Sequence, residues 1–261
     1  MGIDDCGMFE LDLMRAWRIR RQGEAVRVAA RQQRLIAALA VRGASFRNYL
    51  AGVLWPECPE ANALESLRMA VHLTTRQLPG LLVKDGALLS LDRRVDVDLY
   101  RVRGALKKAQ TGSGGASDLL QEIRDVDFLP GWYEDWVVFE QSRLQHDRLR
   151  ALIALSQRLA ACENFEAASE AATAALEIEP LYEGAVRLLV MAEMAQGNVA
   201  SAFLAYERYE AQLHTDIGVS PSEGLRQLIP DGVGRHSRVP AKQLIAPRGS
   251  SLSQEPLLHN A

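Results

Sequence analysis

Apolar and polar residues alternate in short stretches through residues 8–28, interrupted by Arg21-Gln22-Gly23-Glu24. A period of two predicts strands, here two or three antiparallel ones with a hairpin turn. Near residue 30 the period lengthens. Leu35, Ile36, Leu39 and Ala40 predict an amphipathic helix over about 30–42, ended by Gly43. Ser45 is placed to cap a second helix that carries Tyr49, Leu50, Val53 and Leu54 on one side and ends at Trp55-Pro56. In a third helix, over about 61–78, Leu64, Leu67, Val71, Thr74 and Leu78 recur at spacings of three and four and share a buried face, before Pro79-Gly80. Leu81-Leu82-Val83 and Ala87 to Leu91 then flank Lys84-Asp85-Gly86, which predicts a β-hairpin with Lys84 at its tip.

From Asp98 onward the periodicity is helical throughout. Residues 110–117 read as a flexible loop, and Pro130-Gly131 precedes a long helix over about 132–161. Its apolar stripe is expected to comprise Trp136, Val137, Phe139, Leu144, Leu149, Leu152 and Leu155, with Trp132 and Trp136 as core anchors. Leu155 and Leu189, Asn164 and Asn198, and Ala168 and Ala202 are each 34 residues apart, the tetratricopeptide period. The match is partial, since Ala172 stands where the second copy has Tyr206. Residues 231–261, rich in Gly, Ser, Pro and Arg, read as a disordered tail. The expected fold is therefore mainly α: a winged helix-turn-helix (α+β) domain over 8–98, followed by an all-α tetratricopeptide-like domain over 99–230.

Composition sharpens this picture in two ways. The 261 residues carry a net charge of −3, but unevenly. Residues 1–103 hold 16 basic and 12 acidic side chains, whereas residues 104–261 hold 14 and 21. All but one of the basic residues in the first part are Arg, whose planar fork suits phosphate and guanine. The chain also lacks the signatures of other functions. No apolar run approaches the ~18 residues of a membrane span, and the acidic start argues against export and for the cytoplasm. Cys6, Cys58 and Cys162 lack metal or redox spacing and read as free thiols. The five His, at 72, 146, 214, 236 and 259, show no metal-ligand spacing, and no phosphate-cradling glycine loop is present. An enzyme, a metal or a cofactor is not expected.

The motifs resemble the Streptomyces antibiotic regulatory protein (SARP) type of transcriptional activator over roughly residues 8–228. Arg31-Gln32-Gln33-Arg34-Leu35 with Ala37-Ala38-Leu39-Ala40, Leu50-Ala51-Gly52-Val53-Leu54-Trp55-Pro56, and Ser66-Leu67-Arg68-Met69-Ala70-Val71 look like its first, second and recognition helices. Val95-Asp96-Val97-Asp98 resembles the close of its OmpR-like winged helix. Leu129-Pro130-Gly131-Trp132-Tyr133-Glu134-Asp135-Trp136-Val137 and Ile217-Gly218-Val219-Ser220-Pro221-Ser222 resemble the opening and final loop of its bacterial transcriptional activator domain. The resemblance implies binding to direct repeats of promoter DNA, self-association there, and contact with RNA polymerase. One position departs from it: Leu73 stands where the family continues with Arg. Leu73 is then either a contact to a thymine methyl, the mark of a slightly rotated helix, or a sign of weakened DNA binding.

With the inner face of the third helix assigned, Glu65, Arg68, Met69, His72, Thr75 and Arg76 face outward. Arg68 is the first choice for a base contact, since it lies early on the helix and matches the family motif. His72 and Thr75 suit base edges or phosphate, and Arg76 the backbone. Lys84 suits the minor groove or its phosphates, while Arg31, Arg34, Arg47 and Ser45 are candidate phosphate clamps. A competing reading keeps the fold but drops the DNA: the repeats grip a peptide, and the winged helix serves as a docking module. A sensor whose repeats bind a small molecule is a further reading, compatible with DNA binding.

Overall fold

The computed structural model describes residues 9–229; the tail expected over 231–261 and Cys6 lie outside them. Alternation at the start of the chain produces β1 (Phe9–Asp12), whose Phe9 and Leu11 point inward. It pairs antiparallel with β2 (Arg18–Arg21), Leu11 opposite Ile19, and β2 pairs with β3 (Glu24–Ala25). The connecting turn places both Gln22 (φ 52°) and Gly23 (φ 82°) in the left-handed region, the geometry that matches the twist of a two-residue hairpin. Next comes α1 (Ala30–Arg42), with Leu35, Ile36 and Leu39 fully buried, ending at Gly43 as expected. A short β4 (Ser45–Phe46) leads into α2 (Arg47–Leu54), and α3 (Glu60–Gln77) follows. The hairpin of β5 (Leu82–Asp85) and β6 (Leu88–Leu91) forms the wing, and β7 (Asp96–Val97) closes this part.

The strands form two sheets, ordered β3-β2-β1-β7 and β4-β6-β5. The parallel pairing of β7 on β1 and the addition of β4 to the wing are absent from the sequence pattern, because a two-residue strand has too short a period to register. Ser45 differs from expectation. It is buried in β4, its hydroxyl donates to the Gly43 carbonyl at 3.2 Å, and Phe46 rather than Ser45 occupies the N-cap of α2. Tyr49 is exposed, and Ala51 takes its place on the inner face of α2.

The rest of the described chain is helical: α4 (Asp98–Thr111), α5 (Ala116–Ile123), α6 (Asp135–Ala161), α7 (Phe165–Ile178), α8 (Glu183–Ala195), α9 (Val199–Asp216) and the single turn α10 (Glu223–Arg226). The loop between α4 and α5 is shorter than 110–117, because α4 runs on to Thr111 and is closed by Gly112 in the left-handed conformation. The tetratricopeptide spacing has a structural counterpart. Asn164 and Asn198 are the N-cap residues of α7 and α9, and Ala168 and Ala202 are fully buried, one on each of those helices. A methyl at these positions permits close approach of paired helices, and α7 packs against α6 and α8.

The long helix α6 starts three residues later than expected, leaving Trp132 partly buried ahead of it and Trp136 buried within it. Its inner stripe contains two charges. Val137, Glu140, Leu144, Arg148, Ala151 and Leu155 recur at spacings of three and four and are all buried, whereas Phe139 points outward and is 62% exposed. Arg148 donates through Nε to the Ile123 carbonyl at 2.9 Å and through Nη2 to that of Arg124, so a cation closes the carbonyl end of α5.

Several interactions join the β-containing part to the helical part. The Asp98 carboxylate, at the start of α4, accepts from the Leu13 and Met14 amides at 2.9 Å each. Burial pushes this carboxyl group's pKa up, and the amide donors act against that. Leu129 N–H donates to the Leu13 carbonyl at 2.9 Å, and Arg15 N–H to that of Asp127 at 2.7 Å. Glu140, 4% exposed, lies among three arginines: Arg103 of α4 at 3.1 Å, Arg42 of α1 at 3.8 Å and Arg143 of α6 at 3.7 Å. Arg103 also donates to the Val41 carbonyl at 3.3 Å. Around these contacts one apolar core runs from Phe9 to Ala192 without a break at residue 98.

Glu140→Ala is expected to destabilise the protein by about 2–3 kcal/mol in urea unfolding. This is less than the ~3–5 kcal/mol of a fully buried pair, because the three arginines retain part of their water. Phe139→Ala, one residue away on the exposed face, should cost less than about 0.5 kcal/mol. Equal losses in the two variants would refute the stripe assignment and the role given to Glu140.

Candidate nucleic-acid interface

Helix α3 begins after Pro59, whose carbonyl accepts from the Asn62 and Ala63 amides, and ends before Pro79-Gly80. Ala63, Leu67, Ala70, Val71 and Thr74 hold it against α1 and α2. The opposite face is open, and its side chains sort into two seams. At 3.6 residues per turn, Arg68, His72 and Arg76 follow one another along one seam, and Met69 and Leu73 form a second beside it. All five are exposed. Thr75, expected outward, is half-buried, and its hydroxyl donates back to the Val71 carbonyl at 2.7 Å.

Charge is graded along this helix. Glu57, Glu60 and Glu65 lie before or in its first third, and the arginines follow. Arg68 forms an ion pair with Glu65 at 2.9 Å, with both side chains about two-thirds exposed (68% and 65%). Such a pair is worth little in water and is readily exchanged for another anion. His72 and Arg76 make no side-chain hydrogen bond or ion pair among the described residues. The part of α3 beyond its first third is thus the part that can approach a polyanion.

The surroundings reinforce this polarity. Gln32 of α1 donates to the Gln77 side chain at 3.1 Å, and Gln77 donates to the Arg27 carbonyl at 2.6 Å. These bonds bring the start of α1 to the end of α3, so the exposed Arg27 and Arg31 flank the Arg76 end. Sequence reasoning selected Arg31 but missed Arg27, which lies in a coil between strand and helix where no period marks it. On the wing side, Arg47 N–H donates to the Ala87 carbonyl at 3.1 Å, which seats half-buried Arg47 beside the turn of the β5–β6 hairpin.

Three further candidates, besides Thr75, require correction. Arg34 is not a free clamp: it donates to the Leu54 carbonyl at 2.7 Å and pairs with Glu134 at 3.0 Å, joining α1 to α2 and to the start of α6. Ser45, buried and bonded to Gly43, presents no hydroxyl to a ligand. Lys84 is exposed but pairs with Leu89 within the strands, and Asp85, opposite Leu88, lies nearer the wing tip. Among the described residues, no group of three or more His, Cys, Asp or Glu is arranged to hold a metal ion. None of their helices is long and apolar enough to cross a membrane.

A three-helix unit with a β-wing, its third helix open and basic beyond its first third, followed by stacked helical hairpins, defines the class: a winged helix-turn-helix joined to tetratricopeptide-like repeats. Residues 103–230 match the family model of the bacterial transcriptional activator domain. The chain is 30% identical over 230 residues to the regulatory protein AfsR of Streptomyces coelicolor, an alignment that covers 82% of this chain. It spans only 23% of that relative's length. The structure resembles that of Mycobacterium tuberculosis EmbR, solved with a low-affinity phosphopeptide, with a TM-score of 0.66 at 19% identity, covering 85% of this chain and 64% of that one. Residues 103–230 thus carry a bacterial transcriptional activator domain, and the chain is similar to a SARP-type regulator.

Arg31→Ala is expected to reduce the slope of log affinity against log salt for duplex DNA by about one, as the loss of one phosphate contact does. Arg34→Ala should leave that slope unchanged and lower the melting temperature instead. Anisotropy titrations at several salt concentrations, with a thermal melt of each variant, separate the two roles; a fall in slope for Arg34→Ala would reverse the assignment.

Proposed function

We propose that this protein is a sequence-specific DNA-binding transcriptional activator that binds direct repeats near promoters as side-by-side copies and contacts RNA polymerase. In this reading residues 8–98 bind DNA and residues 99–230 carry the activator domain. The observation that carries the proposal is the open outer face of α3, with Arg68, His72 and Arg76 in line on the helix of the fold that enters the major groove. The match of residues 103–230 to the activator-domain family supports the second half of the proposal.

The chemistry divides by position. Base pairs present distinct donor and acceptor patterns in the major groove. Arg68, once released from Glu65, and His72 hydrogen-bond to base edges, and Arg76 lies where base contact passes into backbone contact. Arg31, Arg47 and Lys84 hold phosphates, and Arg27 joins them. These backbone contacts fix position and carry the salt dependence without reading sequence.

The test has two parts. Duplexes enriched from a random pool by the full chain should contain a repeated half-site and bind about 10³-fold or more tighter than random duplex at the same salt. Arg68→Ala should reduce specific affinity by about 1–3 kcal/mol while leaving random-duplex binding nearly unchanged. Transcription from a template carrying the enriched repeat should rise when the protein is added to purified polymerase. Equal affinity for enriched and random duplexes would overturn the DNA-reading role, and tight binding without added transcript would overturn the activator role alone.

A further inference from the structure

We propose that Met69 and Leu73 read thymine: their side chains cover the C5-methyl groups of closely spaced thymines in the operator. The inference rests on the DNA-binding reading above and specifies what that helix recognises.

Met69 is 43% exposed and Leu73 38% exposed, one turn apart on α3, and both lie beside the basic seam of Arg68, His72 and Arg76. Two large apolar side chains standing in water on an otherwise polar face gain nothing in the free protein. Their apolar surface becomes favourable only once something covers it. The basic seam alongside and the exposed Arg27 and Arg31 at the same end of α3 make the complementary partner a polyanion rather than an apolar protein surface. Among the edges that base pairs present in the major groove, the thymine methyl is the apolar feature, and it is matched by apolar side chains.

Spacing agrees with this assignment. Residues four apart on a helix are separated by about 6 Å along its axis, and base pairs by about 3.4 Å along a strand. Met69 and Leu73 therefore reach thymines one or two steps apart. Arg68 and His72 remain free for the hydrogen-bonding edges of the neighbouring pairs. The face thus has a charged seam for oxygen and nitrogen atoms and an apolar seam for methyls, side by side on one helix.

The test alters the DNA by single methyl groups and leaves the protein intact. In the duplex enriched by the full chain, each thymine is replaced in turn by deoxyuridine, which lacks only the C5-methyl. Wild-type affinity should fall about fourfold at one or two positions within one or two steps of each other, the effect of uncovering one methyl. Met69→Ala and Leu73→Ala should each bind the thymine duplex more weakly and lose sensitivity to one of those positions. Specific binding with no sensitive thymine, or alanine variants that remain as sensitive as wild type, would overturn the proposal while leaving the DNA-binding reading intact. Failure to enrich any sequence would overturn both.

Discussion

Glu140 sits where a hydrophobic residue would ordinarily face the core, and the relation between the two halves of the molecule depends on it. A carboxylate removed from water is costly unless compensating charge is close. The compensation comes from different directions: Arg42 at the end of α1, Arg103 on α4 and Arg143 one turn further along α6. Arg42 belongs to the winged helix, and Arg103 begins the stretch that matches the activator-domain family. The charge can therefore be satisfied fully only when α1, α4 and α6 have one particular arrangement. Apolar contact tolerates sliding, whereas an ion pair with a carbonyl contact, as Arg103 makes to Val41, is far less tolerant of it.

That constraint explains why the core is continuous. Residues 13–15 bond to residues 127–129 and to Asp98, so the β1 segment extends into the loop before α6. Arg34, a residue whose type suggests phosphate, joins the same seam through Glu134 and the end of α2. The arginines of the amino-terminal half thus serve two ends. Those held by Glu134 and Glu140 fix the helical half against the winged helix, and those along α3, with Arg27 and Arg31, stay on the outer surface, Arg68 in an exposed and exchangeable pair with Glu65.

The sequence pattern was informative where one segment's own period decides its structure. Helices α1, α3 and α6 are legible because a buried face repeats along each of them, and the wing because Asp85-Gly86 separates two apolar runs. It was uninformative where a partner far along the chain decides. Strands β4 and β7 exist because β6 and β1 supply hydrogen bonds to them, so nothing in the two residues themselves marks a strand. The hydrophobicity of Phe139 points to the core, but Glu140 holds the inward position because three arginines surround it there. For the site, the choice of helix and of Arg68, His72 and Arg76 is legible from periodicity. The fates of Arg34 and Ser45 are not, because whether a polar side chain is free depends on distant partners: Glu134 lies a hundred positions from Arg34, and Leu89 pairs with Ser45 across the sheet.

Helix α3 shows how a local requirement and a surface property coincide. A helix favours acid in its first turn and base in its last, because its peptide dipoles leave positive charge at the amino end and negative charge at the carboxyl end. Glu60 and Arg76 meet that preference. The same distribution repels phosphate from the first third of the helix and attracts it to the remainder, where Gln32 and Gln77 hold Arg27 and Arg31 nearby. Because the start of α1 is tied to this end of α3 and the end of α1 is tied to Glu140, one helix connects the outer face to the interior contact between the halves. The orientation of the helical repeats relative to whatever α3 binds is then a property of α1, a rigid element thirteen residues long, rather than of a linker.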